Sequence, residues 1–312
     1  MIIGHQNPRK TFSRLISEKQ FPQVSLFYGL NGCGKKQVAF EVASTLLCEA
    51  PKKNAGLLAA CGECRSCVIF TSGNHPDFFT VVPEAPKSKE KSSSRPGGAI
   101  KIEQIVELKK KTRYPPLMSA HQVIVIDDAD LMTAVTTNSL LKLLEEPRRD
   151  QIFIMVTSRL SHILVTIRSR SAKFFFPALK ADEVKAVLNL KLAKSDTKVS
   201  SETLDFYFEC FPGSPALIFE ALQFPFDSKK MDKILAKDHG FLEVSEMAKD
   251  VMASDLDLGL FLQLLRGFCL RRIKIKNQAA PAELGFLDKI SDAERRLERH
   301  ISEEFVLENL FL

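Results

Sequence analysis

Two groups of residues have types and spacings that could do chemistry. The first is Gly29-Leu30-Asn31-Gly32-Cys33-Gly34-Lys35-Lys36. It fits the phosphate-binding pattern of a glycine, four residues and Gly-Lys, but not its final Ser or Thr. Gly29, Gly32 and Gly34 would let backbone N–H groups close around phosphate oxygens at a helix N-terminus, and Lys35 would reach the outer phosphates. The last position normally supplies a hydroxyl to Mg²⁺. Here it is Lys36, and an ammonium cannot ligate a metal. Further along, the apolar run 122–126 ends in Asp127 and Asp128, where a nucleotide hydrolase holds Mg²⁺ and orients its attacking water. Glu is the expected orienting residue, and Asp128 is one methylene shorter. ATP and Mg²⁺ therefore stay open as ligands, against the plainer reading of a glycine-rich turn and two solvated carboxylates at a strand end.

The second group is Cys61-x2-Cys64-x2-Cys67, with Cys48 ahead of it across twelve intervening residues. Four thiolates suit tetrahedral Zn²⁺, and a site with no open position and no neighbouring base would be structural. Free thiols or a redox pair are the alternative. His75 is a rival ligand, but Pro76-Asp77 after it reads as a turn, and Cys33 reads as a small space-filling residue. Four of the seven cysteines crowd into residues 48–67 while Cys33, Cys210 and Cys269 are scattered. A disulfide framework would spread them, so reduced thiols and a cytoplasmic location are expected.

The elements that must position these groups follow from hydrophobic periodicity. Residues 24–28 read as a buried strand running into the glycine-rich loop, and Ala39, Val42, Ala43, Leu46 and Leu47 share one face of the helix after it. Residues 78–82 form another strand candidate. Pro83 to Gly98 has little to bury and reads as a loop. Residues 100–113 predict a helix with Ile102, Ile105 and Val106 inward and Lys109 to Lys111 outward. The runs 122–126 and 152–157 are apolar enough for strands covered on both faces, with a helix from about Thr136 to Glu145 between them. Alternating strands and helices predict a parallel α/β sheet. From about Pro177 the strand signal ends; Val184, Val187 and Leu188, and later Leu256, Leu260, Phe261, Leu264 and Leu265, recur at helical spacing, with a break near Phe224-Pro225-Phe226.

The 312 residues allow two or three domains, and 45% hydrophobic with 26% charged residues is ordinary globular composition. A net charge of +6 is a mild basic bias that nucleic acid or an acidic partner would tolerate. No stretch reaches the roughly 18 apolar residues of a membrane span, and the N-terminal residues contain no apolar run of signal-peptide length. Basic clusters at Lys87, Lys89, Lys91 and Arg95, at Lys109 to Lys111 and at Arg271 to Lys276 lack the interleaved aromatics of a base-stacking platform.

Taken together, these motifs resemble the bacterial clamp-loader subunits of the AAA+ class. Ile3-Gly4-His5 is similar to that family's opening segment. The cysteines lie inserted after the phosphate-loop helix, as in the gamma and delta-prime subunits, although the spacing after Cys48 is longer. The most specific match is Asn138-Ser139-Leu140-Leu141-Lys142-Leu143-Leu144-Glu145-Glu146-Pro147, and Thr166-Ile167-Arg168-Ser169-Arg170-Ser171 resembles the family's Ser-Arg-Cys segment with Ser171 in place of the cysteine. The resemblance implies an AAA+ module with a zinc insert over 1–176, a helical lid over 177–225 and a helical collar over 226–312. It implies that Arg170 is an arginine finger acting on a neighbour's ATP and that Thr157 stands at the sensor-1 position. It also implies gamma/tau and delta subunits as partners in a heteropentamer, with the sliding clamp and primer-template DNA reached through the complex. Lys36, Asp128 and a lid segment Gly213-Ser214-Pro215-Ala216-Leu217 without arginine favour a delta-prime-like member, with little or no ATPase of its own, over an active gamma-like or DNA-remodelling ATPase.

Overall fold

The structure, a computed structural model, describes residues 2–84, 98–193, 201–222, 258–276, 281–298, 305–307 and 310. Its central element is a parallel sheet of five strands: β1 (Val24–Gly29), β4 (Phe78–Val81), β5 (Gln122–Ile126), β6 (Gln151–Thr157) and β7 (Ala172–Phe176), in the spatial order β4-β5-β6-β1-β7. Every residue of β5 and β6 is buried, because helices cover both faces of the sheet. Strand periodicity divides the side chains between those faces. Val123, Val125, Ile152 and Ile154 pack with Phe12 of α1 (Gln6–Ser17) and with Val38, Ala39 and Val42 of α2 (Lys35–Leu47). Ile124, Ile126, Phe153 and Met155 pack with Ile105 and Leu108 of α4 (Ile102–Lys111), Leu140 and Leu144 of α5 (Ala134–Glu145) and Ile167 of α6 (Val165–Arg170).

An insert between α2 and β4 holds the hairpin β2 (Lys52–Asn54) and β3 (Leu57–Ala59), followed by α3 (Arg65–Thr71). Outside this insert, the strands expected at 24–28, 78–82, 122–126 and 152–157 and the helices expected at 100–113 and about 136–145 are present within two residues of those bounds. On α4, however, Val106 is exposed and Leu108 takes the inward position, because residues 102, 105 and 108 share a face at helical spacing and 106 falls off it. Lys109 is also not free in solvent, since its Nζ donates to Ser139 Oγ on α5 at 2.9 Å. Most of the expected loop from Pro83 to Gly98 lies outside the described residues.

The chain divides into two compact units, one of Met1–Ala85 with Ala99–Leu179 and a second of Pro86–Gly98 with Lys180–Leu312. The first holds the sheet. The described secondary structure of the second is helical: α7 (Ala181–Leu192), α8 (Ser201–Cys210), α9 (Pro215–Ala221), α10 (Leu258–Lys276) and α11 (Pro281–Glu298). Phe261, Leu262, Leu265 and Cys269 of α10 form a core with Ile290 and Ala293 of α11 and with Val306, Leu307 and Leu310. At Gly267 the backbones of α10 and α8 come so close that a Cβ would stand 2.5 Å from Cys210 Sγ. The expected break at 224–226 and Leu256 lie outside the described residues. Among the described residues no helix is long and apolar enough to cross a membrane.

Candidate nucleotide and metal sites

The glycine-rich loop joins the carboxyl end of β1 to α2. Gly29 packs so tightly under β7 that a Cβ would lie 2.2 Å from the Phe176 carbonyl oxygen, so only glycine fits. Gly34 caps α2 with φ 107°, and neither a side-chain cap nor an acidic residue occupies the first turn. The N–H groups of that turn are available to an anion, and the helix dipole favours one. Lys35 is buried, and its Nζ donates to the loop's own carbonyls at Gly29 (3.0 Å) and Leu30 (2.7 Å). Burial lowers its pKa, because removal from water disfavours the ammonium. His5, in a left-handed conformation at the start of α1, donates from Nε2 to the Cys33 carbonyl at 2.8 Å and holds the loop from its other side.

Lys36 points at the end of β5, where its Nζ lies 2.9 Å from Asp127 Oδ2. The residue that replaces the metal-binding hydroxyl is thus paired with the acid expected to hold the metal. Asp128 follows in a left-handed conformation (φ 44°), its pKa raised to about 6 by burial first and then by the charges of Asp127 and Asp130, against the pull of Lys35 and Lys36. Thr157, buried at the end of β6, donates its hydroxyl to Asp130 Oδ1 at 2.6 Å, and Arg159 Nε donates to Oδ2 at 2.9 Å. The Thr157 hydroxyl is therefore committed to Asp130. Sequence reasoning passed over that residue, and its only signal was a third acid in the run Asp127-Asp128-Ala129-Asp130.

The four cysteines meet. The Sγ atoms of Cys48, Cys61, Cys64 and Cys67 all lie within 4.8 Å of one another, with Cys48–Cys64 and Cys61–Cys67 each at 3.9 Å. A tetrahedron of Zn–S bonds about 2.3 Å long sets its sulfurs about 3.8 Å apart, so the donor set fits a metal of that size. The hairpin spans the gap between Cys48 and Cys61, Cys64 caps α3 and Cys67 lies in its first turn, and Leu58 N donates to Ser13 Oγ on α1 at 2.7 Å. Backbone N–H groups of Cys61, Cys64 and Cys67 each approach a cluster sulfur at 3.3 to 3.4 Å. Donors of this kind favour thiolate: those of Glu63 and Cys64 lower the Cys61 pKa to about 6, whereas burial raises that of Cys67. His75 stands apart from the cluster. Its Nδ1 accepts from Asp77 N at 3.1 Å in the turn and its Nε2 lies 2.9 Å from Ser66 Oγ on α3, so both ring nitrogens are engaged elsewhere.

Arg170 ends α6, away from the loop in sequence and 41% exposed, with Nη2 3.3 Å from Glu145 Oε1 and Nη1 3.1 Å from the Thr166 carbonyl oxygen. The Nε of neighbouring Arg168 is buried without a partner. Of the basic clusters, Lys111 pairs with Glu107, Arg271 and Lys274 with Glu209, and Arg272 with Glu283. Lys87, Lys89, Lys91 and Arg95 lie outside the described residues.

With that geometry in place, comparison with known proteins is decisive at the level of family. Residues 4–180 match the family model described as DNA polymerase III, delta subunit. The chain belongs to this family. It is 31% identical over 159 residues to the DNA polymerase III subunit delta' of Pseudomonas aeruginosa, covering 51% of this chain and 44% of that one. Against the subunit delta' of Bacillus subtilis it is 33% identical over 165 residues, or 53% of this chain and 45% of the relative. The matched part thus spans under half the length of either relative. Among solved structures, a DNA polymerase III gamma-subunit-related protein of Thermotoga maritima covers 97% of both chains at 16% identity, with a TM-score of 0.46. The clamp-loader family read from the motifs holds through the family match, and the expected α/β core with flanking helices is present in the chain's own sheet.

Proposed function

We propose that the chain is a delta-prime-like clamp-loader subunit of a DNA polymerase III holoenzyme. It would serve ATP-dependent loading of the sliding clamp onto primed DNA as a scaffold and as donor of Arg170 to a neighbour's ATP site, with little or no hydrolysis at its own. One observation carries the reading that its own site hydrolyses little: Lys36 Nζ lies 2.9 Å from Asp127, so a monovalent cation stands where a hydrolase needs a divalent one. Thr157 bound to Asp130, and an Asp in place of the orienting Glu, support the same conclusion. Gamma/tau and delta subunits would be the partners in a heteropentamer. The helices beyond residue 176 would divide into a lid over 177–225 and a collar over 226–312. The four-thiolate cluster would hold structural Zn²⁺, with Cys48, Cys61, Cys64 and Cys67 as its ligands and a closed coordination sphere that adds rigidity rather than reactivity.

A guanidinium acting in trans neutralises charge on a transferring phosphoryl group, an effect worth about 10³ to 10⁵ in rate in other nucleotide hydrolases. The test is Arg170→Ala in a loader reconstituted with gamma/tau and delta subunits. DNA-stimulated hydrolysis at the site next to this chain should collapse while the complex still assembles. Unchanged turnover at that site would remove the finger from the proposal.

A further inference from the structure

We propose that Glu145 is a positioning residue for Arg170, holding its guanidinium ready to meet a phosphate on a neighbouring subunit; this rests on the finger reading above. Glu145 is the last residue of α5 and Arg170 the last of α6, two helices that pack against each other. The carboxylate meets one terminal nitrogen of the guanidinium at 3.3 Å, and the Thr166 carbonyl accepts from the other at 3.1 Å. The ion pair and the hydrogen bond draw the group to one side of α6 and leave further N–H donors for another acceptor, since a guanidinium has five. Both side chains remain accessible, at 41% and 47% exposure, so the pair is set at a surface where a second chain can reach it.

Local energetics do not account for an acid at this position. A carboxylate at a helix C-terminus faces the negative end of the dipole, and an exposed ion pair adds little to stability. Glu145 is therefore poorly placed for α5 and well placed for Arg170. A long arginine side chain is otherwise free to sample many rotamers, and ordering it before the partner arrives lowers the cost of reaching a reactive geometry. A residue with this role changes the rate of the partner's chemistry without changing how tightly the partner holds ATP.

The experiment uses the reconstituted complex with only the ATP site beside this chain active, and compares Glu145→Ala, Glu145→Gln, Arg170→Ala and the double variant. Glu145→Ala should lower kcat at that site by between about five- and fiftyfold, leave the KM for ATP unchanged and leave the melting temperature of the isolated chain undiminished. Glu145→Gln, which keeps the accepting oxygen, should recover most of the loss, and the double variant should be no slower than Arg170→Ala. Unchanged kcat in Glu145→Ala, with a large loss in Arg170→Ala, would overturn the positioning role and leave the finger standing. A fall in melting temperature without a fall in kcat would make Glu145 merely structural, which also overturns it. If Arg170→Ala itself left turnover intact, the finger reading would fail and this inference with it.

Discussion

At Lys36 a change of side-chain chemistry alters what the acid at the end of β5 can do. A hydroxyl there would leave Asp127 free to hold a divalent ion; an ammonium 2.9 Å away satisfies it instead. Asp128 bears the cost, because it is buried and, beyond that, faces the carboxylates of Asp127 and Asp130. Its folded pKa of about 6 exceeds the ordinary 3.8, so the folded state keeps a proton that the unfolded state has released between those values. The penalty is absent below the unfolded pKa, grows as pH rises through the window, and is complete above about 6. Asp128→Asn should therefore stabilise the protein at pH 7.5 by about 1 kcal/mol after screening by solvent, and do nothing at pH 3. Asn tolerates the left-handed backbone at this position, so the substitution adds no strain of its own. Melting curves of both proteins across that pH range check this, and a constant difference at every pH would contradict it.

At the scale of elements, two devices hold the insert and the sheet together. Asp77 is fully buried before β4, and its carboxylate accepts from the N–H groups of Leu117, Met118 and Ser119 at 2.6 to 2.8 Å, pinning the segment that leads into β5. Asp77→Ala leaves three donors without their charged acceptor and should cost at least about 3 kcal/mol, with faster amide exchange in residues 117–119. The cysteine cluster is the second device. Freshly purified protein should contain one equivalent of zinc, and chelation should lower the melting temperature, since metal binding free energy is folding free energy in such sites. Elemental analysis that finds no metal would contradict the four-thiolate assignment.

The sequence disclosed some of these elements and hid others for physical reasons. β5 and β6 are buried on both faces, so their apolar runs are unmistakable, and the cysteine spacing announced its cluster. β7 went unread: it is an edge strand with Lys173 and Phe175 exposed, and it follows directly on the basic end of α6. The hairpin was equally silent, because β2 is Lys52-Lys53-Asn54, wholly exposed and without an apolar face. Helix α1 went unread too, since Phe12 is its one buried residue. In the nucleotide site the residue types were legible but their pairing was not. Lys36 meets Asp127, and Thr157 meets Asp130, across long stretches of chain that only the parallel sheet brings together.

For the whole molecule, the sheet unit and the helical unit have separate cores, and the motifs assigned to nucleotide, metal and finger all fall in the first. The central claim is that this chain keeps the shape of a nucleotide site while having replaced the means of hydrolysis. ATP turnover by the purified chain, with and without Mg²⁺ and without partner subunits, tests it most directly. A chain with this site should show no metal-dependent hydrolysis above background; robust Mg²⁺-dependent turnover by the chain alone would mean that Lys36 and Asp128 leave the site competent.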